Sequence, residues 1–230
     1  MEKFKIALII IFLVTNLMAQ DKYPSRDSKE WNNLTVAERW QAVNIPEDQL
    51  NKMTTNDLIE HCINFSFMWD IFNHPNYGIG LDIVIEYHNG LRELLNRKNA
   101  GKLILDFYNK IELNRITEIS EPVDRGKLVA KVFFLELFLS HPKILKQFEG
   151  NERKLIKSIL SSHETCLEIN TKYQKIFYSD YSIRTKILAI GRVFDSFEVI
   201  KSNDQVVEQL DQRKLTDRKY KELIEKAKKF

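Results

Sequence analysis

The chain has 230 residues, of which 43% are hydrophobic and 29% are charged, with only 7 glycines and 5 prolines. This length is sufficient to bury a large core without disulfides, and the shortage of glycine and proline favours long helices over many short strands. The 35 basic and 32 acidic side chains are interspersed and give a net charge of +3. That balance argues against a basic nucleic-acid-binding protein, so we expect no nucleic-acid partner.

The N-terminus has the pattern of a secretion signal. Lys3 and Lys5 precede an uncharged apolar run over residues 6–14, and Ala19 supplies a small residue for cleavage before Gln20. The apolar run is shorter than the roughly 20 residues of a membrane-spanning helix. We therefore predict a signal peptide over residues 1–19 and a secreted or periplasmic product without stable membrane insertion. An uncleaved N-terminal anchor is the alternative.

Start signals for helices recur early in the mature chain. Residues 20–30 are polar and predict a flexible lead-in, followed by a single helical domain over residues 31–230. Thr35 and Glu38 have the spacing of a capping box, in which each side chain accepts a hydrogen bond from the other residue's backbone amide. Residues 53–57 repeat the start signal, with a threonine cap followed by an acidic residue, so we expect short helices in quick succession.

A set of positions in the first third to half of the mature chain carries a family resemblance. The set comprises Ala37, Glu38, Arg39, Ala42, Ile45, Pro46, Glu47, Leu50, Met53, Thr54, Thr55 and Leu58, then Asn89, Gly90, Leu91, Glu93, Leu94 and Leu95. It resembles a group of uncharacterised exported all-helical proteins from Gram-negative bacteria of the Bacteroidetes type. The resemblance implies an all-helical fold in the cell envelope or outside the cell, and it implies no activity. Where many of those sequences have Tyr-Pro-Leu, this chain has Phe65, Ser66 and Phe67.

The remaining pattern is helical. No window alternates strictly at period two, apart from short ambiguous pieces such as residues 83–87. Gly90 marks a weak point in one predicted helix, and Asn99 caps the next. The predicted helices span residues 79–97, 100–113, 127–139, 152–177 and 182–200, followed by two amphipathic helices between residues 204 and 230.

The fold class follows from these helices. Residues 127–139 leave almost no polar face and predict a central core helix. No fixed repeat is evident, although the helix count suits stacked pairs. We predict an all-α fold, either an irregular multi-helix bundle or a short α-solenoid of stacked helix pairs.

No motif supports a catalytic assignment, and we predict neither a cofactor nor a metal site. His163 begins a helical segment that, in a zinc protease, would need a second histidine where Leu167 stands. A second group of potential metal ligands comprises His61, Cys62, His74 and His88, with Asp70, Asp82 and Glu86 nearby in sequence. No pair in this group has the spacing of a metal site. The catalytic residues are unknown.

Two aromatic groups favour binding. Trp69, Phe72 and Tyr77 surround the clearest loop of the chain, and Tyr178 and Tyr181 lie at the end of a predicted helix. Exposed rings stack on sugars or pack against apolar residues of a partner. Aromatic packing between helices is the alternative interpretation.

The two cysteines, Cys62 and Cys166, allow a disulfide because an exported chain meets an oxidising compartment. Such a bridge would close a loop of about 100 residues and contribute about 4–5 kcal/mol on the chain-entropy model. Both cysteines also lie in apolar helical patterns, where a free thiol behaves as a small buried hydrophobe. The pattern favours free thiols over the bridge.

These observations give a leading hypothesis and an alternative. The leading hypothesis is a non-enzymatic helical scaffold or interaction module that binds a protein or peptide partner. The alternative is a glycan-processing enzyme or a glycan-binding module of the cell envelope. The first predicts an exposed apolar or aromatic surface, whereas the enzyme predicts a concave pocket with convergent acids or histidines.

Overall fold

The computed structural model describes residues 28–172, 179–196 and 217–230. Within these ranges the chain forms twelve α-helices and three 3-10 helices and no strand, so the predicted all-α class is confirmed. Contacts between Cα atoms group the chain into two compact units, Met1–Pro46 and Glu47–Phe230. The single helical domain over residues 31–230 stays a prediction.

Two helices lie among the described residues of the first unit, α1 (Lys29–Asn33) and α2 (Val36–Ala42). Ser28 Oγ accepts a hydrogen bond from the Trp31 amide at 3.0 Å, so α1 begins inside the segment predicted as a flexible lead-in. The predicted capping box is confirmed at the start of α2, where Thr35 and Glu38 each accept a bond from the other's amide. The Arg39 guanidinium binds carbonyl oxygens at the end of α1, including that of Trp31 at 3.2 Å.

The first half of the second unit holds five α-helices, α3 (Glu47–Leu50), α4 (Thr55–Asn64), α5 (Tyr77–Tyr87), α6 (Asn89–Asn96) and α7 (Ala100–Asn109). A 3-10 helix over Ser66–Asn73 lies between α4 and α5. Thr54 and Asp57 form a second capping box at α4, and Asn76 Oδ1 accepts a bond from the Ile79 amide at 2.7 Å. Polar side chains thus define where α4 and α5 begin.

The second half contains α8 (Pro122–Leu139), α9 (Pro142–Leu145), α10 (Glu152–Lys172), α11 (Ser179–Ser196) and α12 (Asp217–Lys229). Two further 3-10 helices span Leu113–Thr117 and Lys146–Phe148. Proline occupies the first turn of α8 and of α9, where its missing N–H costs no hydrogen bond. Gly150, in the turn before α10, has a φ of 79°, which favours glycine.

Helix α8 lies at the centre of the core of the second unit. Every residue from Val132 to Leu139 is buried, including Glu136. The helix packs against α4, α7 and α11, while α10 packs against α11 and α12. The predicted core helix over residues 127–139 is therefore confirmed, and it begins earlier, at Pro122.

The segment predicted as one helix over residues 79–97 forms two helices. The sequence places the weak point at Gly90, but the break falls at His88, whose backbone is extended. Nδ1 of His88 accepts a hydrogen bond from the Leu91 amide at 3.2 Å and so caps α6. The side chain of His88 thus supplies the acceptor that a continuous helix would have taken from the backbone.

Helix α7 also differs from its prediction. It ends at Asn109 rather than residue 113, and the chain continues into the 3-10 helix Leu113–Thr117. Asn99 gives α7 no side-chain cap, because its Oδ1 accepts a hydrogen bond from Thr55 Oγ1 at 3.0 Å. A tertiary contact with α4 has replaced the local cap.

Several predicted elements lie outside the described residues. These are the signal peptide, the end of the helix predicted over residues 152–177, the end of the helix over 182–200 and the first tail helix. Helix α11 begins at Ser179, before the predicted residue 182, and the second tail helix is α12. None of the described helices is both long and apolar enough to cross a membrane.

Candidate binding surface and buried polar centre

The structure brings together the three aromatic residues predicted near residues 69–77. Trp69 packs against Phe72, with ring centroids 5.6 Å apart, and Phe72 packs against Tyr77 at 6.0 Å. Two rings of α8 complete the cluster, since Phe133 lies 4.8 Å from Phe72 and Phe134 lies 5.4 Å from Trp69. The central helix thus positions the aromatic residues before α5 and at its first residue.

Exposure separates the members of this cluster. Tyr77 is fully buried and Phe72 is half-buried, so both contribute mainly to packing between helices. Trp69 is 52% exposed although its ring contacts Phe72 and Phe134. Of the three, Trp69 offers the largest fraction of its surface to a ligand, and Tyr77 belongs to the core rather than to a surface.

The second predicted aromatic group lies outside the part of the chain that can be described. Tyr178 falls between the described ranges. Tyr181 falls within α11, and its side chain is not among the described ones. Their proposed binding role stays a prediction.

Helix α5 presents apolar side chains to solvent. Ile79 is 51% exposed, Tyr87 is 46% exposed, and Ile83, one turn from each, is partly exposed. Residues four apart lie on the same face of a helix. We refer to Trp69, Ile79, Ile83 and Tyr87 as the apolar face.

A close backbone approach connects the two elements that carry the apolar face. A Cβ atom added at Gly80 would lie 2.5 Å from the carbonyl oxygen of Ile71, so α5 and the 3-10 helix Ser66–Asn73 touch there. Trp69 precedes Ile71 by two residues, and Ile79 directly precedes Gly80. The backbone segments that carry Trp69 and Ile79 therefore lie close together at this crossing.

Two of the histidines considered as metal ligands meet in the structure. Nε2 of His61 lies 3.4 Å from Nε2 of His88, and the two rings are nearly parallel. Because Nδ1 of His88 accepts from the Leu91 amide, the neutral ring carries its proton on Nε2 and donates it to His61. Burial lowers the pKa of His61. In the described ranges no three His, Cys, Asp or Glu side chains converge as metal ligands.

Cys62 and Cys166 are both free and buried. Burial raises the pKa of each thiol, that of Cys166 to about 11, while the Lys186 ammonium acts in the opposite direction on Cys166. Because the thiolate is the nucleophile and the metal ligand, neither side chain is reactive near neutral pH. Both cysteines fill the core as small apolar groups.

A buried polar centre surrounds Glu136 of α8. Its Oε1 lies 2.6 Å from the Lys186 ammonium and accepts a hydrogen bond from the Tyr108 hydroxyl at 2.7 Å. Its Oε2 accepts from the Thr185 hydroxyl at 2.5 Å. The side chains of Glu136 and Lys186 are both completely buried. The centre therefore joins α7, α8 and α11 through one carboxylate.

The electrostatics of this centre balance burial against pairing. Burial raises the pKa of Glu136, and the Lys186 ammonium and the hydrogen bonds from Thr185 and Tyr108 lower it. Burial and the nearby Glu136 charge raise the pKa of Tyr108 well above its ordinary value, so the phenol stays neutral and donates. Since neither charged group has exposed surface, a substrate cannot reach them in this structure, and the centre holds helices together.

His163 lies near the same centre. It is 2% exposed, and its Nε2 is 2.8 Å from the Tyr220 hydroxyl of α12. Burial lowers the pKa of His163 to about 4, assisted by the positive charges of Lys186 and Lys228. The structure places this histidine in the core between α10 and α12.

Comparison with protein families, curated proteins and solved structures finds no match to this chain. The geometry of the apolar face and of the buried polar centre is therefore the basis for a functional proposal.

Proposed function

We propose that the protein is a non-enzymatic helical scaffold or interaction module that binds a protein or peptide partner through its apolar face. The observation that carries the proposal is the half-exposed Trp69, which is held between Phe72 and Phe134 beside a helix with an outward apolar row. Protein interfaces are enriched in such aromatic anchors, and a few of them supply most of the binding free energy.

The packing of Trp69 supports this role. Its ring contacts Phe134 edge-on at 5.4 Å, and Phe134 is buried in the central helix. An anchor already fixed in position loses little conformational entropy when a partner binds. Ile79 and Tyr87 add exposed apolar surface along α5. A partner with an apolar helix or extended apolar segment matches such a row.

The cellular context belongs to the same proposal. The signal peptide pattern and the resemblance to exported all-helical proteins support a product that acts in the periplasm or outside the cell. In that setting the apolar face would meet other exported proteins or envelope components. We therefore expect the partner to be an exported or envelope protein.

Photo-crosslinking at single positions tests the proposal. A benzoylphenylalanine residue at position 79, on the apolar face, should form a defined covalent adduct with a partner in the cells that make the protein. The same residue at position 167 is the matched control, because Leu167 is also an exposed apolar side chain on a helix, 41% exposed, but lies on α10. The adduct identifies the partner for a binding measurement.

Binding by the purified partner then decides the role of the anchor. We expect Trp69→Ala to weaken binding by at least tenfold, which corresponds to about 1.4 kcal/mol, and Leu167→Ala to leave it unchanged. Circular dichroism would verify that both variants remain folded. The absence of an adduct at position 79, equal adducts at both positions, or equal affinities of the two variants would each overturn the proposal.

A further inference from the structure

A second feature of the molecule is a cavity of about 240 Å³ in the second unit, away from the residues of the apolar face. It lies between the end of α7, the 3-10 helix Leu113–Thr117, α8 and α10. Tyr108 lines it and also donates to Glu136, so one wall rests directly on the buried polar centre. The wall is fixed by the packing of the core.

One side of the cavity is a row of hydroxyl groups on α10. Ser158, Ser161, Ser162 and Thr165 follow the spacing i, i+3, i+4 and i+7, so they share one face of the helix, and all four line the cavity. The row borders the packed apolar face of α10, and within it Ser161 is exposed while Ser158, Ser162 and Thr165 are half-buried.

One hydroxyl of this row is left without a full hydrogen bond. Among the described residues, Ser162 Oγ is buried without a partner at hydrogen-bonding geometry, and it lies near the Tyr108 hydroxyl, on whose pKa it has a lowering effect. Thr165 donates to the Ser161 carbonyl at 3.0 Å, which leaves its oxygen able to accept. A buried polar atom without a partner costs free energy, and a ligand that supplies the partner recovers it.

The opposite side of the cavity determines the charge of a suitable ligand. Asn109 and Asn114 contribute amides, which both donate and accept hydrogen bonds. Among the described residues, the only charged one in the lining is Glu112, which is exposed and lies 3.7 Å from the Arg115 guanidinium. None of the described lining residues is basic, so this lining favours a neutral ligand over an anion.

We propose that this cavity binds a small neutral polyhydroxylated ligand, of the size of a monosaccharide or a cyclic polyol. Its volume is below the roughly 300–1,000 Å³ of clefts that hold drug-sized molecules, so a single ring is the suitable size. Hydroxyl groups on the ligand match hydroxyls and amides that donate and accept in turn. Ile111, Leu113 and Val132 provide an apolar patch for the C–H face of such a ring.

Titration of the purified protein with neutral and charged probes of equal size tests this inference. The neutral probes are glucose, galactose, mannose and myo-inositol, and glucuronate is the anionic counterpart of glucose. We expect saturable NMR shifts from at least one neutral probe, including the side-chain amide signals of Asn109 and Asn114. Glucuronate should bind at least tenfold more weakly than the best neutral sugar.

Two threonines of α10 provide a matched pair of variants. Thr165 and Thr171 both donate to the carbonyl four residues earlier, but only Thr165 lines the cavity. Thr165→Val, combined with Ser162→Ala, should weaken binding at least tenfold, whereas Thr171→Val should not change it. The inference fails if no neutral probe gives saturable shifts, if glucuronate binds as tightly, or if both sets of variants bind equally.

Discussion

Glu136 and Lys186 place a carboxylate and an ammonium side by side with no exposed surface on either side chain. Each charge compensates the desolvation of the other, and Tyr108 and Thr185 satisfy the remaining carboxylate lone pairs. A buried pair of this kind adds little net stability compared with apolar residues of the same shape, but losing one partner leaves an uncompensated charge. The two residues therefore depend on each other.

We expect Lys186→Met to lower the free energy of unfolding by about 3–5 kcal/mol, because it orphans the buried carboxylate. Chemical denaturation measures the change. Lys102→Met is the matched control, since Lys102 forms an ion pair with Asp106 at 2.8 Å with its side chain 72% exposed, and its loss should cost at most about 1 kcal/mol.

A second substitution separates the charge effect from lost packing. Glu136→Gln added to Lys186→Met removes the orphaned charge and keeps an oxygen that accepts from Tyr108 or Thr185. The double variant should therefore be more stable than Lys186→Met alone. Equal stabilities of these two variants would show that the ionic interaction is not the source of the loss.

The sequence contained part of this information at the residue level. Glu136 interrupts a nearly continuous apolar run, and Lys186 directly precedes another, Ile187 to Ile190. A single charge within or beside a buried apolar run indicates that it has an ion-pair partner. The 49 residues between Glu136 and Lys186 prevent the sequence from showing that these two residues pair with each other. The partial exposure of Trp69 likewise depends on which rings of α8 reach it, and sequence spacing does not report that.

At the scale of elements, the crossing of α5 with the 3-10 helix Ser66–Asn73 depends on a missing side chain. A Cβ at Gly80 would lie 2.5 Å from the Ile71 carbonyl oxygen and 2.9 Å from the Ile71 Cα. Both atoms are backbone, so they can move only if an entire element shifts. The position of the apolar face therefore depends on glycine at residue 80.

Gly80→Ala should destabilise the protein by about 1–3 kcal/mol, because the added methyl group overpacks the crossing. Gly126→Ala is the opposite case, since Gly126 lies within α8 and a Cβ there meets no atom within 4 Å. Alanine at that position should stabilise by about 0.5–1 kcal/mol, as it does in helix interiors. Thermal melts of both variants measure whether each substitution raises or lowers the stability. A stabilising Gly80→Ala would contradict the close contact between α5 and the 3-10 helix Ser66–Asn73.

Helix starts with an ordinary local cap were more predictable than those capped by an unusual residue or altered by a tertiary contact. The caps at Thr35 and Thr54 use residues three positions apart, so local sequence contains the whole interaction. The break at His88 uses a histidine, which is not a usual cap, and Asn99 bonds to Thr55, 44 residues away. The 3-10 helix Ser66–Asn73 carries no side-chain cap, so no cap residue marks its start.

At the scale of the whole molecule, two buried histidines and one half-buried histidine on different elements link stability to pH. Burial lowers the pKa of His61 in α4, and lowers the pKa of both His141 before α9 and His163 in α10 to about 4. The positive charges of Arg192 and Lys143 add to the effect at His141. The folded state therefore favours the neutral form of all three histidines.

We expect the free energy of unfolding to fall as the pH decreases from about 6.5 to about 4. In this window the unfolded chain binds protons that the folded histidines do not accept, so acid favours unfolding. The contribution of His163 is at most about 3 kcal/mol, given a pKa that falls from 6.5 to about 4. Urea denaturation across the pH range measures it.

The matched variants for this measurement are His163→Gln and Thr171→Val, both on α10. Glutamine at position 163 keeps a hydrogen-bonding group for Tyr220 and removes the titration, so the pH dependence should become shallower. Thr171 is exposed and does not ionise, so its replacement should leave the slope as it is. An identical slope in both variants would contradict the assignment to His163.

The buried polar centre also has an evolutionary consequence. Loss of either charge alone gives a protein destabilised by several kcal/mol, which is a large fraction of the total stability of an ordinary domain. Replacement of both charges by apolar residues is tolerated, but a lineage can reach it only through that unstable intermediate. Positions 136 and 186 should therefore covary among descendants of this chain, keeping both charges or losing both.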